Sequence, residues 1–445
     1  MFRIAKIFGV AATVILPFLV TGKSYSQNVF VSSSNPKELT VRVRIINTLD
    51  TLKIIFNNDW KLKSKEKDEK IFNNSQEAVF LIINDKLEII NENDRIDCDN
   101  NFCELKSLIA EGTIKIKNVP YGVGWWWESK EDRIYEGDVS IYINEKMKLE
   151  VVISLPLEQY LKGVVPYEIG SDSPLEALKA QAVAARSEAV IALLSKLYGG
   201  TRYDLTSDVE CQVFSGNIKR TSNSDRAVDE TQNLILAEKG KPINAYYASN
   251  CGGHSELIKN VWGDRPAAES YKVSNYDSDE NNPKDLSKEE NLRAWVFSNP
   301  PSYCNPNVNI ELPNWTQNNF RWKREFGTEE LSNINLSEKN LGKLVNLNIL
   351  KRGTSGRAYH AKFIFEKDSL EINGELKIRQ MFNPPLRSSC FVADIIKNGL
   401  VLYGAGWGHG VGMCQSGAIT MARNGNSFKE ILKHYYRKAD LQTAY

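Results

Sequence analysis

A glutamate and a histidine, each set among glycines, are the two places where the residue types of this chain point to chemistry. Glu168 stands in Gly163-Val164-Val165-Pro166-Tyr167-Glu168-Ile169-Gly170. A carboxyl in apolar surroundings has its charged form disfavoured, so its pKa rises and it can give and take a proton near neutral pH. Glu168 reads as part of an apolar loop just before a long helix, whose positive N-terminal end would favour the carboxylate and oppose that rise. The second place is Gly406-Trp407-Gly408-His409-Gly410. Glycines let backbone approach a ligand, Trp407 offers a face for a sugar ring, and His409 offers a donor or a proton carrier. The same run could equally be a turn that packs Trp407 and His409 beneath the following helix. Gln212, Tyr246, Tyr247 and Arg186 are further candidates to line a groove, with core packing as the alternative for each.

Metal and thiol chemistry have weaker signals. Cys251 and His254 show half of a zinc-ligand spacing, which Cys211, Cys414, His409 or His434 would have to complete. The sequence requires no cofactor; a structural zinc held through Cys251 and His254 is the alternative. Seven cysteines in an exported chain suggest disulfides, Cys98 with Cys103 and Cys304 with Cys390, leaving at least one thiol unpaired. A cysteine nucleophile has no legible histidine partner.

The elements that must position these residues can be read in outline. Residues 1–26 read as a signal peptide: Arg3 and Lys6 precede an apolar run from Ile7 to Val20, too short for a comfortable membrane span, and Ser24 and Ser26 fit a cleavage site. An uncleaved anchor is the other reading of the same segment. The expected location is outside the cytoplasm, in a periplasm or the cell wall. Residues 27–119 alternate as strands do, as in Leu39-Thr40-Val41-Arg42-Val43-Arg44-Ile45, and form a β-rich region of unknown role. Trp125-Trp126-Trp127 could stack on sugars or fill a core.

A long central helix is expected from Leu175 to Tyr198, opened by a Ser173–Glu176 capping box with Pro174 in first position and closed by Gly199-Gly200. Its Ala-rich interior suits burial. Residues 271–319 read as a loop-rich insertion with a short helix near Lys288–Phe297, and strands resume at Val345–Ile349, Tyr359–Phe365 and Leu370–Ile372. The chain should end on two capped helices, the second opened by Ser427 and Glu430. Lys and Arg number 56 against 55 Asp and Glu, a balance that offers no electrostatic footprint for nucleic acid.

Ordered motifs single out Glu168 from the other acidic residues. Leu155-Pro156-Leu157-Glu158-Gln159-Tyr160-Leu161, Gly163-Val164-Val165-Pro166-Tyr167-Glu168 and Glu176-Ala177-Leu178-Lys179-Ala180-Gln181-Ala182-Val183-Ala184-Ala185-Arg186 follow one another within about thirty residues. Cys211-Gln212-Val213-Phe214, the Tyr246–His254 run, Val261-Trp262-Gly263, Arg352–Arg357, Leu386–Ser389 and Gly406–Ala418 come later. Together they resemble the SpoIID/LytB family of stage II sporulation protein D and the amidase enhancers, over residues 120–445.

The resemblance implies an α+β fold, a β-rich N-terminal region followed by a SpoIID-like core of strands around the long helix, with a substrate groove between Glu168 and His409. It implies lytic transglycosylase cleavage of peptidoglycan glycan strands with Glu168 as catalytic residue. The alternative it leaves open is a non-catalytic wall binder that enhances a separate cell-wall amidase. Some family members carry zinc beside the Cys-Gln dipeptide, but this chain has Leu205 and Glu210 where they place ligands near Cys211-Gln212. A metal-dependent hydrolase using His254 and His409 is a third reading.

Overall fold

The structure, a computed structural model, describes residues 39–63, 70–92, 94–98, 101–123, 128–264, 267–279, 285–309, 311–332, 334 and 341–444. The signal-peptide segment and Trp125-Trp126-Trp127 lie outside the described residues. The fold is α+β, with the β-rich region first.

Period-two patterning builds that region. In the strand Thr40–Leu49, Val41, Val43 and Ile45 face inward while Arg42 and Arg44 stay at the surface, the alternation that a pleated strand with one buried face requires. One sheet runs, in spatial order, through Leu205–Thr206, Thr40–Leu49, Leu149–Pro156, Asp138–Ile143, Phe102–Ser107, Trp60–Lys63 and Lys70–Phe72. A second runs through Ser129–Glu136, Thr113–Tyr121, Thr51–Asn57, Glu77–Ile83, Lys86–Asn91 and Asp94–Asp97. Thr113–Tyr121 passes through residue 120 without a break and pairs with Ser129–Glu136, and Thr40–Leu49 pairs with Leu149–Pro156. A single apolar core joins these strands to the helices that follow.

Helix α1 spans Leu157–Glu168 and helix α2 spans Leu175–Ser195. Thirteen residues of α2 are buried, spread around its circumference, and it packs against α1, the helices Ser222–Glu230, Gln415–Arg423 and Phe428–Tyr435, and the strand Leu234–Glu238. Small side chains allow that close approach on every side, which places α2 at the centre as expected.

Both of its ends differ from the expectation. Pro174 is the N-cap, and the Ser173 hydroxyl donates back to the Ile169 carbonyl at 2.7 Å. Glu176 instead accepts from the Phe428 N–H at 2.7 Å and from Lys179, so no capping box forms. The helix stops at Ser195, because Lys196 turns left-handed at φ 50° and Leu197 N–H closes onto the Ala192 carbonyl, a Schellman ending that precedes Gly199-Gly200. The second expected capping box does form: Ser427 and Glu430 satisfy each other's backbone N–H groups at the start of Phe428–Tyr435. A short strand, Asp440–Thr443, follows that helix.

Within 271–319 the short helix is Glu289–Val296. Leu344–Arg352, Ala358–Phe365 and Ser369–Asn373 form an antiparallel sheet over a second apolar cluster. No described helix is long and apolar enough to cross a membrane.

Candidate active site

Glu168 ends a helix, where the sequence suggested a loop. Pro166 sits inside α1, tolerated in the last turn of a helix whose face is buried against the core. Glu168 is therefore beside the carbonyl end of α1, which disfavours a carboxylate, and α2 begins seven residues further on. Protein atoms crowd the carboxyl, yet the residue keeps some exposed surface. Burial raises its pKa from 4.5 to about 7, against the opposing pull of the Val213 N–H, Gln415 and Tyr247. The Val213 N–H donates to Oε1 at 2.8 Å.

Tyr247 joins the two halves of the site. Its hydroxyl donates to Gln212 Oε1 at 2.9 Å and lies within reach of Glu168, while its backbone hydrogen-bonds His409. Gln212 is 3% exposed and its Nε2 donates to the Ala185 carbonyl at 3.2 Å. Gln212 thus holds Tyr247 in place from behind and presents almost no surface to a ligand. Gln415, the first residue of Gln415–Arg423, donates to Gln181 Oε1 at 3.2 Å and reaches Glu168 with its amide. Gln415 had no signal of its own in the sequence beyond its place in a motif. The Val213 N–H could not be found there at all, since a backbone group carries no residue signature.

The glycine-rich run is held against the Tyr246–His254 segment. Tyr247–Ala248 pairs in parallel with Met413–Cys414, and Trp407 exchanges backbone hydrogen bonds with Asn250. Gly412 has φ 78°, and a Cβ there would lie 1.9 Å from the Tyr246 carbonyl oxygen, so the approach requires glycine. Buried Arg357 bridges the same two segments, donating to the carbonyls of Cys251, His254 and Gly408.

His409 accepts the Val411 N–H on Nδ1 at 3.0 Å, and its ring sits 4.8 Å from that of Trp262. Burial, with Arg357 and Arg379 nearby, lowers its pKa to about 3. It is a neutral imidazole at working pH and no cationic acid. Trp407 is half-buried, with the Arg387 guanidinium 5.5 Å from its ring.

Arg186 does not line a groove, which corrects that expectation. It is fully buried, forks onto Glu158 at 2.8 and 2.7 Å, and gives its remaining donors to the carbonyls of Leu234 and Val228. A charge this deep requires such pairing, and nothing of it is left for a ligand. Glu158 is correspondingly in the first turn of α1. Neither Glu158 nor Glu176 is a free carboxylate beside Glu168.

The cysteines are free thiols. Cys103 contacts Cys98 without the expected disulfide, and Cys304 faces Cys251 at 3.6 Å while Cys390 points to the Ser355 carbonyl. The Cys304–Cys390 pairing is corrected accordingly. Among the described residues, Cys251, Asp277, Cys304 and Cys414 bring their ligand atoms within 4.8 Å of one another, all buried. His254 is not among them; its Nδ1 lies 3.0 Å from the Ser274 hydroxyl and from the Ser255 carbonyl. Cys211 contacts the Thr206 N–H and the Tyr198 hydroxyl, so the residues beside the Cys-Gln dipeptide do not assemble a zinc set.

The fold thus sets a carboxyl with a raised pKa at the end of α1, beside a central buried α2, and holds a glycine-rich run against the Tyr246–His254 segment. A family model described as Stage II sporulation protein matches residues 145–237, and one described as a domain of unknown function matches 256–412. An uncharacterized protein of Brachyspira hyodysenteriae is 33% identical over 293 residues, 65% of this chain and 68% of that protein. The amidase enhancer of Bacillus subtilis is 27% identical over 287 residues, and the match spans only 39% of that longer protein. Stage II sporulation protein D of Bacillus amyloliquefaciens is 27% identical over 330 residues, 71% of this chain and 82% of that protein. The chain belongs to the SpoIID/LytB family.

Proposed function

We propose that this protein is exported and cleaves peptidoglycan glycan strands as a lytic transglycosylase, with Glu168 as its single general acid and base. The observation that carries the reading is the carboxyl itself, raised to about 7 by burial and fixed through Oε1 by the Val213 N–H. With a pKa near the operating pH, one group can serve in both directions. Glu168 protonates the glycosidic oxygen as the C1–O bond breaks. The resulting carboxylate then takes the proton from the 6-hydroxyl of the same muramic residue, whose oxygen closes onto C1 to give a 1,6-anhydro end. No water is consumed and Glu168 ends protonated, as it began.

Hydrolysis by the usual two-carboxylate route needs a second acidic group across the bond. Of the acidic residues near it in sequence, Glu158 is taken by Arg186 and Glu176 by Lys179 and the Phe428 N–H, while Asp172 is exposed four residues away. Tyr247 orients the acid, and Trp407 supplies a ring face for a sugar. Digestion of peptide-free glycan strands with the wild-type protein and with Glu168→Gln tests this. Anhydro-ended fragments that vanish in the variant support it, and reducing-end fragments argue for hydrolysis instead.

The likeness to the amidase enhancer of Bacillus subtilis supports a second reading, in which the same groove binds glycan and stimulates a separate wall amidase. Strand binding without cleavage, together with faster release of peptides by an added amidase, would favour it.

A further inference from the structure

We propose that Cys251, Asp277, Cys304 and Cys414 bind one zinc ion in a closed tetrahedral site that is structural and separate from Glu168. The four residues come from four different segments: the Tyr246–His254 run, the stretch after the short helix Glu269–Lys272, the loop after Glu289–Val296, and the N-cap of Gln415–Arg423. Their ligand atoms all lie within 4.8 Å of one another.

Two of the separations match those of a filled site. A tetrahedral zinc with the usual bond lengths sets its sulfurs about 3.8 Å apart and a sulfur and a carboxylate oxygen about 3.5 Å apart. The Cys251 and Cys304 sulfurs are 3.6 Å apart, and Cys251 Sγ is 3.4 Å from Asp277 Oδ2. A disulfide needs a sulfur separation of about 2.05 Å and would use two of the three thiols. An iron–sulfur cluster would hold its cysteines much further apart than one shared ion does. Three thiols and one carboxylate suit a soft, tetrahedral divalent ion.

The surroundings prepare the ligands. Asp277 Oδ1 accepts from the Tyr435 hydroxyl at 2.9 Å and sits 3.4 Å from His434 Nε2, which leaves Oδ2 turned toward the thiols. Such outer contacts orient ligands in protein metal sites. The Cys251 N–H donates to Cys414 Sγ at 3.2 Å, and half-buried Arg321 lies close to Cys304 and Cys251 as a compensating cation. Gly417 is needed at this point, because a Cβ there would come within 2.1 Å of the Tyr435 hydroxyl and 2.8 Å of Asp277 Oδ2. A small cavity lined by Cys251, Asp277, His434 and Tyr435 adjoins the site. Four protein ligands leave no position for water, so the ion would tie loops together and do no hydrolysis. One of the tied residues, Cys414, immediately precedes Gln415.

The test is metal analysis of the full chain, purified without chelators from zinc-containing medium. About one zinc per chain is expected, falling to near none in Cys304→Ser and Asp277→Asn and unchanged in His254→Ala. Replacement by cobalt should give sulfur-to-cobalt charge-transfer and tetrahedral ligand-field absorption, a readout on the wild type that survives if the cysteine variants fail to fold. Tyr435→Phe should weaken binding about 10–100-fold. No metal with all three thiols reduced, a Cys251–Cys304 disulfide found by mass spectrometry, or zinc retained by Cys304→Ser would overturn the proposal.

Discussion

The Val213 backbone N–H donates to Glu168 Oε1 at 2.8 Å, so the carboxyl of the site is pinned by main chain from a loop 45 residues away. Burial nonetheless outweighs that bond and lifts the pKa from 4.5 to about 7. The folded protein therefore holds this proton more tightly than the unfolded chain. Its stabilising effect is complete below pH 4.5 and is lost as pH rises through about 7. Glu168→Gln, which cannot ionise, should be more stable than wild type at about pH 8–9, by about 1–3 kcal/mol. The difference should close at about pH 4. Denaturant titrations of both proteins at the two pH values check this.

Tyr247→Phe removes the hydroxyl that contacts Gln212 and lowers the Glu168 pKa. In a pH–rate profile on glycan strands, the alkaline limb set by protonated Glu168 should move upward. Turnover should fall by about fivefold, the scale of one lost hydrogen bond of about 1 kcal/mol. His409, lowered to about 3, should contribute no limb between about pH 5 and 8, where an ordinary histidine would.

Arg186→Met leaves Glu158 buried without its partner, at a cost of about 3–5 kcal/mol. The double variant Arg186→Met with Glu158→Leu should recover a large part of that loss, because both charges are then gone from the interior. Thermal melts of the two variants and wild type measure it. A single variant as stable as wild type would mean that this pair does not hold α1 to α2.

Gly412→Ala places a methyl group against the Tyr246 carbonyl at a position with φ 78°. The strap must move away from the Tyr246–Tyr247 segment. We expect a loss of about 1–3 kcal/mol in stability and weaker binding of glycan fragments, read by calorimetry on the same preparations.

Local pattern was enough for much of the fold. Alternation gave Thr40–Leu49, small residues gave a central α2, and Ser427 with Glu430 gave a real capping box. It failed where a tertiary contact outbid a local one. Glu168 read as part of a loop, yet α1 runs to it through Pro166 under burial of Val164 and Val165; Ser173 bonded backward to Ile169, and Glu176 was drawn away to Phe428. Glu168 was legible from motifs, but the balance between burial and a helix end that decides its pKa was not, and the partners that bind it lie at 213, 247 and 415. Cys251, Asp277, Cys304 and Cys414 were still less visible as a group, since no short spacing links residues that only folding brings together.

The central claim is that Glu168 drives an intramolecular cleavage, and digestion of peptide-free glycan strands in heavy-oxygen water tests it most directly. Wild type should give fragments whose new ends carry no heavy oxygen, and Glu168→Gln should give no fragments. Heavy oxygen at the new ends, undiminished cleavage by Glu168→Gln, or intact strands after treatment with wild type would contradict it.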